Sequence, residues 1–401
     1  MARTKRRFAA VLSPALVGAA LAVALLGGIA AATVGAPEEA TSGGSGVGDP
    51  SALDAEPGSP AQPRAAQTPA QPVEGSRGPA PVAQAASQGA APVAPLDRLR
   101  APDVLVSVPA SITPDQLAAL QGIAGVETVS LLDAGAVSIA GAPTQVLGVD
   151  PSSFRSFTPQ ETAASDQLWE SVARGEVAAS FSVVRARQLP LGGSVTLAGE
   201  AGAPSEGRIG AHAAFGLPGV EVVTDQPTAR RLGVVPQSGA VLSAPSVEVG
   251  ELGKAVGRVL GQQATVDVLR PTVARPATGK PKSYRDLYID SARYCPGLSW
   301  TVLAAIGQVE SGHGRELGPS SAGALGPMQF LPSTWAAYGL DGDGDGTAEI
   351  MNPHDAVPSA AGYLCRSGAN RGPDGLYDAI FAYNHADWYV RKVLDIAAQY
   401  R

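Results

Sequence analysis

The amino-acid sequence predicts a multidomain fold: an N-terminal apolar helix, a disordered linker rich in Pro and Ala, a middle α+β domain and a C-terminal all-α domain. Three observations predict this order. Residues 8–36 contain no charged side chain, residues 37–100 contain few aromatic or branched apolar side chains, and residues 284–401 show only helical patterns. Between them, residues 101–272 mix short strand and helix patterns, which is typical of an α+β domain.

The composition of the 401 residues narrows the classes of function. Charged residues make up 16% of the chain, against about 25% in typical soluble domains. The net charge is -7, so no basic surface for nucleic acid is expected. The sequence therefore predicts no nucleic-acid partner.

The first 36 residues have the order of an export signal. Four basic residues, at positions 3, 5, 6 and 7, precede an uncharged run from Phe8 to Ala36. This run is longer than the roughly 7–15 residues of a cleaved signal core and suffices for a bilayer span of about 20 residues. A cleaved signal peptide and a retained signal anchor therefore remain alternatives. Both predict an extracytoplasmic location in the cell envelope, secreted or membrane-anchored.

Residues 37–100 are predicted to be a disordered linker. Pro, Ala, Gly and Gln dominate this stretch, which cannot bury enough apolar surface to offset its chain entropy. Because spaced prolines favour an extended chain, the linker is expected to act as a tether of tens of ångströms.

Residues 101–272 are predicted to form an α+β module of unknown role. Thr113 followed by Pro114 marks a helix start, and Val- and Leu-rich stretches between turns mark strands. The predicted helices are 113–123, 165–175 and 247–261, and the predicted strands are 103–108, 126–134, 136–141, 144–150, several glycine-bounded stretches between the last two helices, and 264–270. This order resembles the extracytoplasmic domain of MacB/FtsX-like transporter permeases. The resemblance implies a binding or spacing module with a protein partner in the envelope.

Two cysteines, Cys295 and Cys365, occur in the sequence. In an exported protein the simplest prediction is one disulfide between them, which would stabilise the domain by about 3–5 kcal/mol. The alternative is a metal site, but no CxxC motif or Cys/His cluster accompanies the two thiols.

A short basic linker at 273–283 precedes a region, 284–401, that is predicted to be wholly helical. No alternating strand pattern competes with the helical one. Six helical stretches are separated by short loops: 284–295, 299–310, 332–339, 353–368, 374–385 and 387–400.

Glu310 is the candidate catalytic residue because it lies on an apolar helix face. Leu303 and Ile306 precede it by seven and four residues, so its carboxyl group should project from the buried face. Ser299 is a suitable N-cap and Gly312 a suitable end of the helix, which places Glu310 in the last turn. Burial and the negative helix end both raise the pKa, as a general acid requires. The alternative is an exposed helix-end Glu, in water or paired with a nearby arginine.

Three blocks of sequence carry a family resemblance. They are "ES" at 310–311, "GALGPMQFLPSTW" at 323–335 and "AYNHADWYV" at 382–390. In order and spacing they resemble the soluble lytic transglycosylase (SLT) domain, in the branch related to membrane-bound lytic transglycosylase B. The resemblance implies a lysozyme-like fold for residues 284–401. It also implies that the partner is the glycan strand of peptidoglycan, cleaved at the β-1,4 bond between N-acetylmuramic acid and N-acetylglucosamine.

By motif, Glu310 matches the catalytic acid/base of that family. The amide of Gln329 can donate to and accept from sugar hydroxyl and N-acetyl groups, and the hydroxyl of Tyr383 is expected to hydrogen-bond Glu310 and hold its rotamer. The resemblance assigns substrate binding to Ser311, Met328, Gln329, Tyr383 and Asn384.

The three blocks offer one carboxylate for the chemistry, apart from Asp387, which is expected to cap the last helix, whereas hydrolytic glycosidases usually employ two. The resemblance implies that Glu310 acts alone. It protonates the leaving oxygen and then takes the proton of the O6 hydroxyl, which closes 1,6-anhydro-N-acetylmuramic acid, and no cofactor is required. Two alternatives stay open: a peptidoglycan hydrolase of lysozyme type, and a non-catalytic cell-wall-binding partner of an envelope transporter complex.

The stretch "DGDGDGTAEIMNP" at 341–353 follows the spacing of a calcium loop. Position 12 of that loop holds Asn352 in place of the usual bidentate Glu. Because three closely spaced aspartates repel one another without a cation, a structural calcium ion is predicted, with an empty acidic turn as the alternative. The predicted ligands are Asp341, Asp343, Asp345, Thr347 through its carbonyl, and Glu349.

Overall fold

The computed structural model describes residues 53–54, 92–199, 204–270, 281 and 283–400. The predicted export segment 1–36 lies outside the described residues, as do most of the predicted linkers at 37–100 and 273–283. Within the described ranges, no helix combines the length and the apolar character that a membrane span requires. The envelope location therefore stays a prediction.

A mixed β-sheet with short helices forms the middle region, as the α+β prediction expects. Its strands are β1 (Val104–Ser107), β2 (Thr128–Ile139), β3 (Ala142–Val149), β4 (Val177–Ser180), β5 (Ser194–Ala198), β6 (Ser205–Ala213), β7 (Val222–Asp225), β8 (Gly239–Ser243) and β9 (Thr265–Val268). Its helices are α1 (Pro114–Gln121), α2 (Pro151–Phe154), α3 (Gln160–Ala164), α4 (Asp166–Ala173), α5 (Phe181–Arg187), α6 (Gln226–Arg231) and α7 (Val249–Leu260), with a 3₁₀ turn at Arg155–Phe157.

The strand order shows two connected parts. In the order β9-β1-β8-β2 all neighbours are antiparallel, and α1 and α7 follow β1 and β8 as in a split β-α-β arrangement. The second part, β2-β3-β7-β4-β6-β5, closes back onto β2. Strand β2 belongs to both parts, because residues 128–132 pair with β8 and residues 133–139 pair with β3.

The three helices predicted for the middle region are confirmed as α1, α4 and α7. Helix α1 begins with a capping box: Thr113 Oγ1 accepts from Gln116 N, and Gln116 Oε1 accepts from Thr113 N. The predicted strands at 126–134 and 136–141 are one continuous strand, β2. The region between α4 and α7, predicted as strands alone, also contains α5 and α6. The prediction failed at α5 because its valine pair favours a strand, whereas Ser180 caps a helix.

The described end of the predicted linker packs against the α+β module. Arg100 N donates to Ser156 O at 2.8 Å, and Ala94 N donates to Ser152 Oγ at 3.0 Å. Leu99 is buried. The last residues of the predicted linker, up to residue 100, therefore pack against the α+β module.

The region after residue 283 is helical, and the six predicted helices are present: α8 (Tyr284–Ala292), α9 (Trp300–Ser311), α10 (Pro332–Tyr338), α11 (Pro353–Arg366), α12 (Gly372–Tyr383) and α13 (Asp387–Ala397). Cys295 and Cys365 form the predicted disulfide, which joins the α8–α9 loop to α11 across 70 residues. Asp387 does not cap α13 but is its first residue, and its carboxylate accepts a hydrogen bond from Tyr377.

A buried charge cluster joins this helical region to the α+β module. Asp103, just before β1, is fully buried. Its Oδ1 lies 3.4 Å from Arg270 Nε and 3.6 Å from Nη2 of Arg366 on α11, and its Oδ2 accepts from Ala244 N at 2.7 Å. One carboxylate thus faces two guanidinium groups, and the Arg366 side chain is only 3% exposed.

We expect Asp103→Asn to lower the free energy of unfolding by about 3–5 kcal/mol, because the amide leaves buried Arg366 without a counter-charge. Asp97→Asn is the matched control. Asp97 is 80% exposed beside Arg100, and its loss should change the free energy of unfolding by less than about 1 kcal/mol. Urea unfolding followed by tryptophan fluorescence measures both, and equal stabilities of the two variants would contradict this role of Asp103.

Candidate active site

Glu310 lies in the last turn of α9, as predicted. Ser299 Oγ accepts a hydrogen bond from Thr301 N at the start of the helix, and Gly312 ends the helix in the left-handed conformation with φ of 59°. Leu303 is fully buried on the same face. The caps and the apolar face together place the Glu310 carboxyl group where α9 meets its neighbours.

Tyr389 of α13 holds the carboxyl group of Glu310. Tyr389 Oη donates to Glu310 Oε1 at 2.5 Å, and burial keeps the pKa of Tyr389 well above its usual range, so the hydroxyl retains its proton. Burial raises the pKa of Glu310 to about 7, while the Tyr389 hydrogen bond and the charge of Lys392 lower it in part. Both protonation states of Glu310 are therefore populated at neutral pH, as a group that works as acid and base requires.

The predicted hydrogen bond from Tyr383 to Glu310 is wrong. Tyr383 Oη donates instead to Met328 O at 2.7 Å. Both tyrosines belong to the motif at 382–390, and only the packing of α13 on α9 decides which one reaches the carboxyl group. A signal was present, because Tyr389 shares the buried face of α13 with Val390 and Val393.

Ser311 and Met328 support the loop before α10. Ser311 is buried, and its Oγ donates to Pro327 O at 2.6 Å and accepts from Gly314 N at 2.8 Å. The Met328 side chain is fully buried, so it does not line a sugar groove as predicted. Its carbonyl anchors Tyr383, and its flexible side chain fills the core.

Gln329 occupies a strained backbone conformation in the same loop. Its φ is 48°, in the left-handed region that non-glycine residues rarely adopt. Its Nε2 donates to Gly326 O at 3.0 Å, and Leu325 pairs with Phe330 across the turn. The loop thereby fixes Gln329 beside a cleft that Tyr383 also lines.

Asn384 lies where α12 ends and the chain turns toward α13. Its N–H donates to Ile380 O at 3.2 Å, and its carbonyl accepts from Ala386 N at 2.6 Å. Its backbone thus fixes the short connection between Tyr383, which lines the cleft, and Tyr389, which holds Glu310.

The three predicted aspartate ligands come together in the loop before α11. One carboxylate oxygen each from Asp341, Asp343 and Asp345 lies within 4.8 Å of the other two. Two oxygens bound to one calcium ion at about 2.3–2.6 Å are at most about 5 Å apart, so this spacing fits the ion. Among the described residues, Glu349 does not join this group of carboxylates, and the backbone N–H of Thr347 donates to Asp345 Oδ1.

Asn352 and Asp355 organise the acidic loop from the start of α11. Asn352 Oδ1 accepts from His354 N at 3.0 Å, and its Nδ2 donates to Asp343 Oδ2 at 3.2 Å. The residue at position 12 of the calcium loop is therefore a helix cap. Asp355 is fully buried, and its carboxylate accepts from loop amides that include Glu349 N at 3.0 Å.

Part of the helical region matches a known protein family. Residues 301–376 match the family described as "Transglycosylase SLT domain". "Membrane-bound lytic murein transglycosylase B" of Escherichia coli (strain K12) is 32% identical over 130 residues, which are 32% of this chain and 32% of that protein. The chain thus matches about a third of the length of this curated relative. The expected resemblance of the helical region to the SLT domain is confirmed for residues 301–376, which match that family.

Two solved structures are similar to parts of the chain. The Escherichia coli lytic transglycosylase SLT35 in complex with calcium is 18% identical, with a TM-score of 0.26, and the likeness covers 29% of this chain and 70% of that chain. The periplasmic region of MacB from Actinobacillus actinomycetemcomitans is 12% identical, with a TM-score of 0.27, and the likeness covers 42% of this chain and 90% of that chain.

Tyr389→Phe is expected to raise the pKa of Glu310 above about 7, because the lost hydrogen bond favours the carboxylate. An NMR titration of the Glu310 carboxyl carbon measures this shift. Tyr383→Phe is the matched control, since it removes a hydroxyl that donates to Met328 O, and it should leave the pKa of Glu310 nearly unchanged. A fall in this pKa in Tyr389→Phe, or equal rises in both variants, would refute the assignment.

Proposed function

We propose that this protein is a peptidoglycan lytic transglycosylase. It cleaves the β-1,4 bond between N-acetylmuramic acid and N-acetylglucosamine and forms 1,6-anhydro-N-acetylmuramic acid, with Glu310 as the single acid and base. The observation that carries the proposal is the half-buried carboxyl group of Glu310, with a pKa raised to about 7, inside the stretch that matches the transglycosylase SLT domain. An exposed Glu has a pKa near about 4.3 and would be almost fully ionised at neutral pH.

In the first step, protonated Glu310 gives its proton to the glycosidic oxygen while the bond from that oxygen to C1 of the muramic acid breaks. Positive charge develops at C1, and the N-acetyl carbonyl oxygen of the same sugar stabilises it. Glu310 leaves this step as a carboxylate, which Tyr389 stabilises by donating to Oε1. We assign contacts with the bound sugars to Gln329, Tyr383 and Asn384.

In the second step, the Glu310 carboxylate removes the proton of the O6 hydroxyl, and O6 bonds to C1. The ring closes and Glu310 is protonated again, so one carboxyl group serves both steps. The origin of its pKa supports this scheme. Burial raises the pKa, Tyr389 and Lys392 lower it in part, and no second carboxylate of the described residues is among the causes of the shift. A partner carboxylate at the about 5–5.5 Å of a retaining pair would raise the pKa further by repulsion.

We also propose that the SLT domain acts outside the cytoplasm, on the cell wall. The disulfide between Cys295 and Cys365 supports an oxidising compartment, and residues 1–36 have the order of an export signal. The curated relative is named membrane-bound, in keeping with a retained anchor. For residues 101–272 we propose an envelope protein as partner.

Glu310→Gln should lower the rate of strand cleavage by about 10²–10⁴-fold, the usual contribution of a general acid. The matched control is Glu316→Gln, because Glu316 is an exposed carboxylate six residues further along the chain. This variant should cleave the strand at the wild-type rate. Mass spectrometry of the products released from isolated peptidoglycan measures both rate and product. Products heavier by one water would mean lysozyme-type hydrolysis. Retained wall binding without products would mean a non-catalytic binder.

We further propose that the loop at 341–349 holds a structural calcium ion. The carboxylate spacing of Asp341, Asp343 and Asp345 supports this proposal, with Thr347 bound through its carbonyl and Glu349 through a water, as position 9 often is. The two positive charges of the ion would offset most of the repulsion among the three carboxylates and hold the loop between α10 and α11. It takes no part in the proton transfers of Glu310.

Calcium at about 100 times its dissociation constant should stabilise the wild type by about 2.7 kcal/mol, seen as a rise in melting temperature. Asp345→Asn should lose most of this rise, because one charged ligand is removed. Asp395→Asn, an exposed carboxylate on α13, should retain it. Equal rises in all three proteins, or no rise in the wild type, would exclude the site.

A further inference from the structure

Both halves of the molecule line one cleft beside the loop that carries Gln329. Tyr383 and His385 come from the helical region, and Gln160 and Glu161 come from helix α3 of the α+β module. We propose that α3 builds a sugar-binding subsite of the substrate groove, which takes a neutral N-acetylhexosamine ring of the glycan strand. This inference rests on the proposed function for the identity of the strand, and it gives the α+β module a direct part in substrate binding.

The cleft has the aromatic surface that sugar rings pack on. Phe330, Tyr363 and Tyr383 line it, and the Tyr383 ring centroid lies 5.8 Å from that of Phe330 and 5.6 Å from that of Tyr363. Both tyrosine hydroxyls are bonded to backbone: Tyr363 Oη donates to Ala382 O at 2.8 Å, and Tyr383 Oη donates to Met328 O at 2.7 Å. The rings are therefore fixed. Phe330 and Tyr363 are buried, so the half-buried ring of Tyr383 offers the apolar surface to the weakly polar face of a pyranose.

The rim of the cleft carries an exposed carboxylate that can accept hydrogen bonds. The Glu161 side chain is 66% exposed, and its Oε2 lies 3.3 Å from His385 Nδ1. Gln160 Oε1 accepts from Ser333 Oγ at 2.7 Å, which fixes the amide across the boundary between the two halves. Because a carboxylate has about four lone-pair sites, Glu161 can face His385 and still accept from sugar hydroxyls.

Charge selects which sugar fits this rim. Glu161 repels carboxylates, and the peptide stems attached to N-acetylmuramic acid carry them. N-acetylglucosamine is neutral and offers hydroxyl and amide donors to the acceptors of the rim. The subsite therefore suits the N-acetylglucosamine units of the strand, and Tyr383 and Gln329 connect it with the loop next to Glu310.

Helix α3 is held rigidly, so that Gln160 and Glu161 are presented in one position. Buried Arg155 donates through Nε to Ala163 O at 2.8 Å, and Trp169 Nε1 donates to Thr162 O at 2.8 Å. Thr162 Oγ1 donates to Ala214 O at 2.8 Å. A binding group that is already ordered loses little entropy when the ligand arrives.

The test uses the full chain and glycan strands freed of stem peptides. Glu161→Ala should raise KM by about tenfold with kcat unchanged, because it removes a charged hydrogen-bond acceptor that binds ground state and transition state alike. Glu161→Gln, which keeps one acceptor oxygen, should lie within about threefold of the wild type. The control is Glu170→Ala, an exposed carboxylate on α4 that does not line this cleft, with KM unchanged.

Calorimetry with an N-acetylglucosamine hexamer separates this inference from the proposed function. If the wild type releases no product, the proposed function fails, and the subsite then stands or falls on whether Glu161→Ala weakens hexamer binding about tenfold. If the wild type is active and Glu161→Ala leaves KM and hexamer affinity unchanged, the subsite is overturned and the transglycosylase stands. Equal losses in Glu161→Ala and Glu161→Gln would make Glu161 a positioning residue for His385 and overturn its contact with sugar.

Discussion

The candidate active site depends on holding one carboxyl group, partly buried, at the end of an apolar helix. Leu303 and Ile306 have no exposed surface, and the packing of α9 leaves Glu310 half-buried beside them. An unpaired charge at this position would cost free energy, and two features lower that cost. The pKa of Glu310 rises to about 7, and Tyr389 donates a hydrogen bond to the group. The raised pKa keeps the proton on Glu310 until it is needed, and the hydrogen bond from Tyr389 stabilises the carboxylate once the proton has left.

The surroundings of Glu310 are built to hold backbone in place. Ser311 binds Pro327 O on one side of the loop, and Tyr383 binds Met328 O on the other. Between these anchors and Phe330, Gln329 keeps a φ of 48°, which costs about 1–3 kcal/mol in a non-glycine residue. Residues whose motif suggests sugar contacts thus supply the hydrogen bonds that keep this strained turn in its functional shape.

Local features of the fold and site were predictable from the sequence, and long-range contacts were not. Thr113 and Ser299 mark helix starts because a cap depends only on the next few residues, and Glu310 follows from the helical period alone. The partner of Glu310 lies 79 residues away. The apolar face of α13 indicates that Tyr389 is buried, but no local pattern shows that it reaches Glu310. Likewise, the motif at 323–335 does not reveal which of its side chains point inward, so the predicted sugar contact of Met328 is wrong. The closure of the sheet onto β2 depends on strand pairings that composition does not encode.

A groove shared by two domains works only if their relative orientation is fixed, and the interface shows how this is achieved. Phe181 of the α+β module packs on Phe381 with ring centroids 4.0 Å apart, a contact that tolerates small rotations. The buried pairing of Asp103 with Arg366 is different in kind. Such a cluster adds little net stability, because the desolvation of its charges offsets their attraction. Any other orientation, however, would leave buried charges unpaired. Breaking such a buried pair costs about 3–5 kcal/mol. The cluster therefore selects one arrangement of the two halves, and in that arrangement Glu161 faces His385 across the cleft.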